Sequence, residues 1–149
     1  MRKIIGLGLI VAALGLSGCL SWQTPVRLKV KSEPSLNLDS DQQSLPVVLR
    51  VYQLKDPQAF AQASFDELWK QDKAVLGSSL LSVQELVVYP DRTERYDLSR
   101  SKGVRHLGLM ATFRQPESGH WKQLVRVSGG MLPRSLPIHV ENSQMTLSK

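Results

Sequence analysis

The stretch VVLRVYQLKDPQAFAQASFDELW, Val47 to Trp69, changes its rhythm halfway. From Val47 to Leu54 apolar residues stand on both faces of an extended chain, the pattern of a strand covered on both sides and therefore central in a sheet. At Lys55 the pattern breaks. Asp56 can cap a helix and Pro57 suits a first helical position. Ser64 and Glu67 then stand at capping-box spacing, and Phe65, Leu68 and Trp69 fall at i, i+3 and i+4. The stretch predicts a central strand followed by two short helices, about Pro57 to Gln62 and Phe65 to Gln71. Phe60, Phe65 and Trp69 read as core-packing residues.

Working outward, the flanks are extended. VRLKVK, Val26 to Lys31, alternates strictly and predicts a half-exposed strand. Ser32 to Pro46 is rich in Ser, Asp, Asn and Pro and reads as a loop. Its fifteen residues are long for a compact domain, and such loops commonly carry function. Downstream, LGSSLL (Leu76 to Leu81) closes the helical segment. SVQELVVYP (Ser82 to Pro90) predicts a strand ending at a Pro-Asp turn, with TERYDL (Thr93 to Leu98) as its return. RHLGLMATF (Arg105 to Phe113) places Leu107, Leu109, Ala111 and Phe113 on one face, and WKQLVRV (Trp121 to Val127) pairs back across the QPESGH turn. GGMLPRSLP reads as a loop, and IHVENSQMTL supplies one or two last strands. Seven or eight short strands with turn signals between them predict a mainly β fold: a two-sheet antiparallel β-sandwich with a small inserted helical segment. The chain has 149 residues, enough for one domain, placed at 26–149 with the helical insertion at about 57–71.

The beginning of the chain is of another kind. Arg2 and Lys3 precede thirteen uncharged, mostly apolar residues, Ile4 to Leu16. That run is shorter than the roughly 20 residues needed to cross a bilayer and matches the apolar core of a signal peptide. Leu16-Ser17-Gly18-Cys19 resembles the bacterial lipobox. The resemblance implies cleavage after residue 18, an S-diacylglycerol and an N-acyl chain on Cys19, and a short lipidated tether over 19–25. Cys19 is the sole cysteine and cannot form an internal disulfide. Several acyl chains together anchor firmly where one holds marginally. Leu20, where an Asp would signal retention at the inner membrane, implies an outer-membrane location facing the periplasm. Without Arg2 and Lys3 the formal charge of +6 falls to +4. The basic residues are scattered without interleaved aromatics, which argues against nucleic acid as a partner.

Catalytic and metal chemistry finds little footing. His106, His120 and His139 lack ligand spacing and read as solvated surface residues, and there is no second Cys. Asn37, Asp39 and Asp41 alternate as at the start of a calcium loop, but the Gly and the bidentate Glu that such a loop needs are missing. Asp39 and Asp41 could pair as acid and base, although a solvated polar loop is the plainer reading. No nucleophile elbow or phosphate-binding glycine motif occurs. The expectation is no catalytic residue, no metal, no cofactor beyond the covalent lipid, and no enzyme activity.

The lipobox, VVLRVYQLKD followed by Phe60 and ASFDELW, LGSSLL, the YP turn, and LGLMATFR with WK together resemble the type VI secretion lipoproteins of the TssJ family. The resemblance runs from about Val26 to Val127. The family commonly has Pro-Gly where this chain has Pro90-Asp91. The resemblance implies a transthyretin-like sandwich held at the outer membrane. It implies binding to the periplasmic C-terminal domain of TssM, and through it an indirect link to TssL, in the secretion membrane complex. The implied contact is the loop between the first two strands. By position its candidates are Leu36, Asn37, Leu38, Asp39, Gln42, Gln43 and Leu45. The leucines would supply an apolar contact and the polar residues hydrogen bonds. The alternative is a periplasmic small-ligand-binding lipoprotein using the sandwich interior or a groove around Phe60, Phe65 and Trp69. An enzyme on the same scaffold would need a histidine-rich cleft, which three scattered histidines do not supply.

Overall fold

In the computed structural model, residues 25–116, 119–127 and 135–148 are described. They form eight strands: β1 (Val26–Leu36), β2 (Val47–Leu54), β3 (Leu80–Val88), β4 (Arg92–Leu98), β5 (His106–Ala111), β6 (Lys122–Arg126), β7 (Leu136–Asn142) and β8 (Gln144–Leu147). Two helices, α1 (Gln58–Gln62) and α2 (Phe65–Leu76), follow β2, and a 3₁₀ turn (Gly77–Ser79) leads into β3. The expected signal segment, Cys19, most of the expected tether and most of the GGMLPRSLP stretch lie outside the described residues.

The strands make two four-stranded sheets, ordered β4-β1-β7-β8 and β3-β2-β5-β6. The expected two-sheet sandwich is present, with β2 central as its two apolar faces required. Two details differ from expectation. β1 and β7 pair in parallel, so the first sheet is mixed. β4 does not return along β3 but crosses to the other sheet and pairs with β1, Val26 opposite Leu98. Ser32 explains the crossing. Its buried hydroxyl donates to the Tyr89 carbonyl at 2.6 Å and accepts from the Arg92 amide at 3.1 Å, pinning the β3–β4 connection to β1. Asp91 stands at φ 54°, the left-handed conformation that favours Gly and that Asp tolerates at modest cost.

β1 also runs five residues beyond VRLKVK, to Leu36. Its register against β7 shifts between Ser32 and Leu36, and Pro34 lies in that irregular part. A bulge is where a strand can hold a Pro, which has no ladder N–H to give. Inward, Val26, Leu28, Val30 and Leu36 of β1 meet Val47, Leu49 and Val51 of β2 and Leu107, Leu109 and Ala111 of β5, all buried.

The helices cover the outer face of the second sheet. Ser64 and Glu67 form the expected capping box. Phe60 lies flat over Gly108, where an added Cβ would come within 2.7 Å of the ring, and packs on Tyr52 at 5.6 Å. The Lys122 ammonium donates to the carbonyls of Phe60, Ala61 and Ala63 at 3.1, 2.8 and 2.7 Å, satisfying acceptors that a helix end leaves open. Burial holds its pKa below the usual lysine range.

α2 continues five residues past Gln71, the boundary expected from the sequence, but bends there: Gln71 is non-helical at φ −142°. The Lys73 amide turns to the Asp72 carboxylate at 2.7 Å, and Arg50 takes the carbonyls of Leu68 and Trp69 at 3.1 Å each. The kink thus has an identified cause, a cation inserted into the helical ladder. Tyr52 closes the arrangement with a 3.2 Å hydrogen bond to Asp72, and burial, aided by that carboxylate, pushes its phenol up to about 12. Trp69 corrects the sequence reading. It is 44% exposed rather than core, lying over the Arg50 guanidinium at 4.9 Å and stacked on Phe65.

Candidate functional site

The β1–β2 connection stands at one end of the sandwich, beside Thr112–Arg114 and the β7–β8 turn. Its ten residues, Asn37 to Pro46, are held by local polar bonds. Asn37 is the hinge. Its backbone takes φ 48°, a conformation Asn tolerates, and its N–H donates to the Asn142 carbonyl at 2.7 Å. Its side-chain amide donates to the Pro46 carbonyl at 3.1 Å and accepts from the Arg114 amide at 2.9 Å. One buried residue therefore joins three segments. Beyond it, Asp39 Oδ1 accepts the amides of Asp41 and Gln43, both at 2.8 Å, an Asx turn that shapes the tip. The Leu45 amide returns to the Leu36 carbonyl at 3.1 Å, and the Ser44 hydroxyl donates to the Pro34 carbonyl.

The candidates inferred from the sequence do not share one environment. Leu36 was expected in an exposed loop; it is the last residue of β1, 0% exposed, and belongs to the core. Asn37 is also buried, and its side chain is committed within the chain. The strand extension through Pro34 draws both inward. Leu38, Asp39 and Leu45 are half-buried, while Gln42 and Gln43 are exposed. Leu38, Asp39 and Gln42 form one wall of a groove of about 370 Å³ whose other wall is Arg114, Asn142 and Ser143. Those last three were not legible as site residues. Asn142-Ser143 is a turn dipeptide inside a segment that read as strand, and its breaker character was the available signal. Cys19 lies outside the described residues.

Other chemistry is sparse. Among the described residues no group of three His, Cys, Asp or Glu could hold a metal. No described helix is long and apolar enough to cross a membrane. The histidines are not equally solvated as expected: His120 is exposed, but His106 is half-buried with Nδ1 out of contact with water and without a hydrogen-bond partner. His139 Nε2 stands 3.6 Å from Glu33 and 3.7 Å from Glu141. The groove imagined around Phe60, Phe65 and Trp69 is occupied by the chain's own side chains: Phe60 on Gly108, Lys122 against Trp121, and Phe65 edge-on to Trp121 at 5.2 Å.

The family model described as type VI secretion lipoprotein (VasD, EvfM, TssJ) matches residues 24–143. Among solved structures, the lipoprotein TssJ1 of Pseudomonas aeruginosa is 26% identical, with a TM-score of 0.75 over 84% of this chain and 95% of that one. A chain of a structure titled as the type VI membrane complex aligns with a TM-score of 0.77 at 21% identity, over 85% and 98%. A chain of a structure titled as the TssM C-terminal domain from EAEC aligns at 0.74 and 20%, over 84% and 98%. The last two likenesses speak for the fold. No curated protein sequence matches the chain. The family is one of structural lipoproteins rather than enzymes, and this chain belongs to the type VI secretion lipoprotein family that includes TssJ.

Proposed function

We propose that the protein tethers the type VI secretion membrane complex to the outer membrane. Acyl chains on Cys19 hold one end, and the loop from Leu38 to Leu45 grips the periplasmic C-terminal domain of TssM, which links it indirectly to TssL. The observation that carries this reading is the polarity of β1. The chain enters β1 at Val26, and the candidate loop leaves it after Leu36, 11 residues on. At ~3.3 Å per residue the two ends of the strand stand about 33 Å apart. A domain anchored at one end and binding at the other transmits load along hydrogen-bonded strands instead of across a hinge. The groove between Leu38, Asp39 and Gln42 and the facing Arg114 and Asn142 offers a partner an apolar side chain rimmed by polar groups, the common anatomy of an interface.

Two substitutions test the two ends. In the full-length protein, replacing Leu38 to Gln43 with a Gly-Ser segment of equal length keeps Leu36, Asn37 and the core. Calorimetry against the TssM periplasmic domain should then show binding lost while the thermal transition is kept, and unchanged affinity would sink the assignment of the loop. Cys19→Ser should remove the protein from outer-membrane fractions and stop secretion. If the Ser variant still fractionates with outer membranes, the anchor is wrong.

A further inference from the structure

We infer that the end of the sandwich where β1 begins rests on anionic phospholipid headgroups, held there by Lys55, Arg100, Lys102, Arg105 and Arg126. This rests on the reading that Cys19 carries the acyl anchor. These five cations come from three connections gathered at one end. Leu98 lies opposite Val26, and the residues after it, Ser99 to Arg105, lead to β5. Lys55 follows the end of β2, and Arg126 ends β6 opposite His106.

That end is a built platform. The buried Gln53 side chain donates to the Ser99 carbonyl and accepts from the Ser101 amide, both at 2.7 Å. The Arg105 amide donates to the Leu54 carbonyl at 2.9 Å, and Val104 is buried beneath the connection. With Val104 pointing in, Lys102 and Arg105 are exposed and Arg100 is half-exposed. Lys55, Arg105 and Arg126 line one depression of about 370 Å³. Its carboxylate, Asp56, is engaged by the Gln58 amide at 2.9 Å.

What marks this end is the gathering of five cations without a carboxylate partner. Arg27, Lys31, Arg50, Lys70 and Arg92 each have a carboxylate within 4 Å. Among the described residues the other cations without one, Lys29, Lys73, Arg95, Arg114 and Lys122, are spread over β1, α2, β4, the residues after β5 and β6. Of the residues outside the description, 1–24, 117–118, 128–134 and 149, Glu117 is the one acidic residue. The loop at the opposite end, Leu36 to Pro46, contains Asp39 and Asp41 and no Lys or Arg, with Arg114 facing it across the groove.

Chain length then selects the occupant. Seven residue steps separate Cys19 from Val26, a reach of at most about 25 Å. A domain held so close meets the bilayer surface at high effective concentration. Anionic headgroups attract cations within a Debye length of about 8 Å. A lipid surface is therefore the anionic partner this platform always has beside it, and several basic residues supply the second signal that steadies an acyl anchor.

The test uses the full-length lipidated protein in vesicles of phosphatidylethanolamine with and without phosphatidylglycerol, labelled by a water-soluble amine reagent. Lys55 and Lys102 report the platform, and Lys31 and Lys70 serve as references. With phosphatidylglycerol, labelling of Lys55 and Lys102 should fall about fivefold, the ratio one cation gains beside an anionic surface. It should recover in about 1 M salt, where the Debye length shrinks to ~3 Å. In the triple variant Lys55→Glu, Arg105→Glu and Arg126→Glu, protection of Lys102 should vanish; the milder pair Lys55→Gln and Arg126→Gln should weaken it if the triple variant folds poorly. Flotation with both vesicle types and equal labelling in both would overturn the platform while leaving the anchor intact. Failure to float with neutral vesicles would overturn the anchor and this inference with it. Equal protection by inorganic phosphate in neutral detergent would assign the depression to a soluble anion and overturn the lipid.

Discussion

Two parts of this molecule project from the sandwich, and they are held by opposite means. The helical cover, Gln58 to Leu76, is fastened by packing and by cations that reach its open carbonyls: Phe60 on Gly108, Lys122 under the end of α1, Arg50 in the kink of α2. The loop from Asn37 to Pro46 is fastened by its own polar groups, with Asn37 and Asp39 at its two nodes. The first arrangement makes the helices part of the fold. The second lets residues such as Gln42 and Gln43 face outward without cost to the core. Stability and the recognition proposed for the loop are thereby separated in space, and substitutions should separate them too.

The largest effect belongs to the cover. Phe60→Ala removes a buried ring and leaves a cavity over Gly108, so denaturant unfolding should report a loss of about 4 kcal/mol. Gly108→Ala alone should also destabilise, because its Cβ would meet the Phe60 ring at 2.7 Å. In the Phe60→Ala background the same change should be neutral or stabilising. Additivity in that double-mutant cycle would mean that the seam is not the contact described. Affinity for the TssM domain should stay unchanged in every variant that remains folded.

Asn37→Ala comes next and acts where the loop joins the core. It forces Ala into φ 48° and strands the Arg114 amide and the Pro46 carbonyl. A loss of about 3 kcal/mol is expected, together with weaker TssM binding. Loss of binding with no loss of stability would show that Asn37 acts at the surface, contrary to its burial.

The third test returns to the cover through pH. The Tyr52 phenol is raised from 10.0 to about 12 by burial, so between those values the unfolded chain loses a proton that the folded chain keeps. Its contribution is complete below pH 10 and disappears as pH rises through 12. Allowing for solvent screening, about 1 kcal/mol should be lost. Tyr52→Phe should flatten the fall of the denaturation midpoint between those pH values, and an identical slope in both proteins would remove Tyr52 as its source.

The same contrast explains what could be read from the sequence. Packing leaves periodic traces: β2 is legible to the residue and the capping box follows from spacing alone, whereas the expected end at Gln71 is a kink and the helix runs on to Leu76. Three-dimensional exchanges leave none. Nothing in Arg50 says that its guanidinium occupies the outer face beneath Trp69 and keeps that ring in solvent. Alternation places Val26, Leu28 and Val30 inward but cannot say that β7 runs parallel beside them. The loop was found by its length and polar composition, yet its first two candidates were lost to the core. SEPS reads as turn chemistry, and only the register shift and the Ser32 hydroxyl show why it continues a strand.

The smallest effect on stability gives the sharpest separation. Asp39 Oδ1 accepts two amides at the loop tip, both outside the core. Asp39→Ala should therefore shift the unfolding midpoint by only about 0.5 kcal/mol, because water can replace the lost acceptor. The tip, however, loses the turn that presents Gln42 and Gln43. Binding to the TssM domain should weaken about tenfold, or 1.4 kcal/mol, from residues the substitution does not touch. Asp39→Asn keeps an oxygen at Oδ1 and should retain most of the affinity, which distinguishes a shape effect from loss of a charged contact. Equal weakening in both variants would make the carboxylate itself the contact. No weakening in either would move the recognition surface off this loop and end the division of labour that the two regions imply.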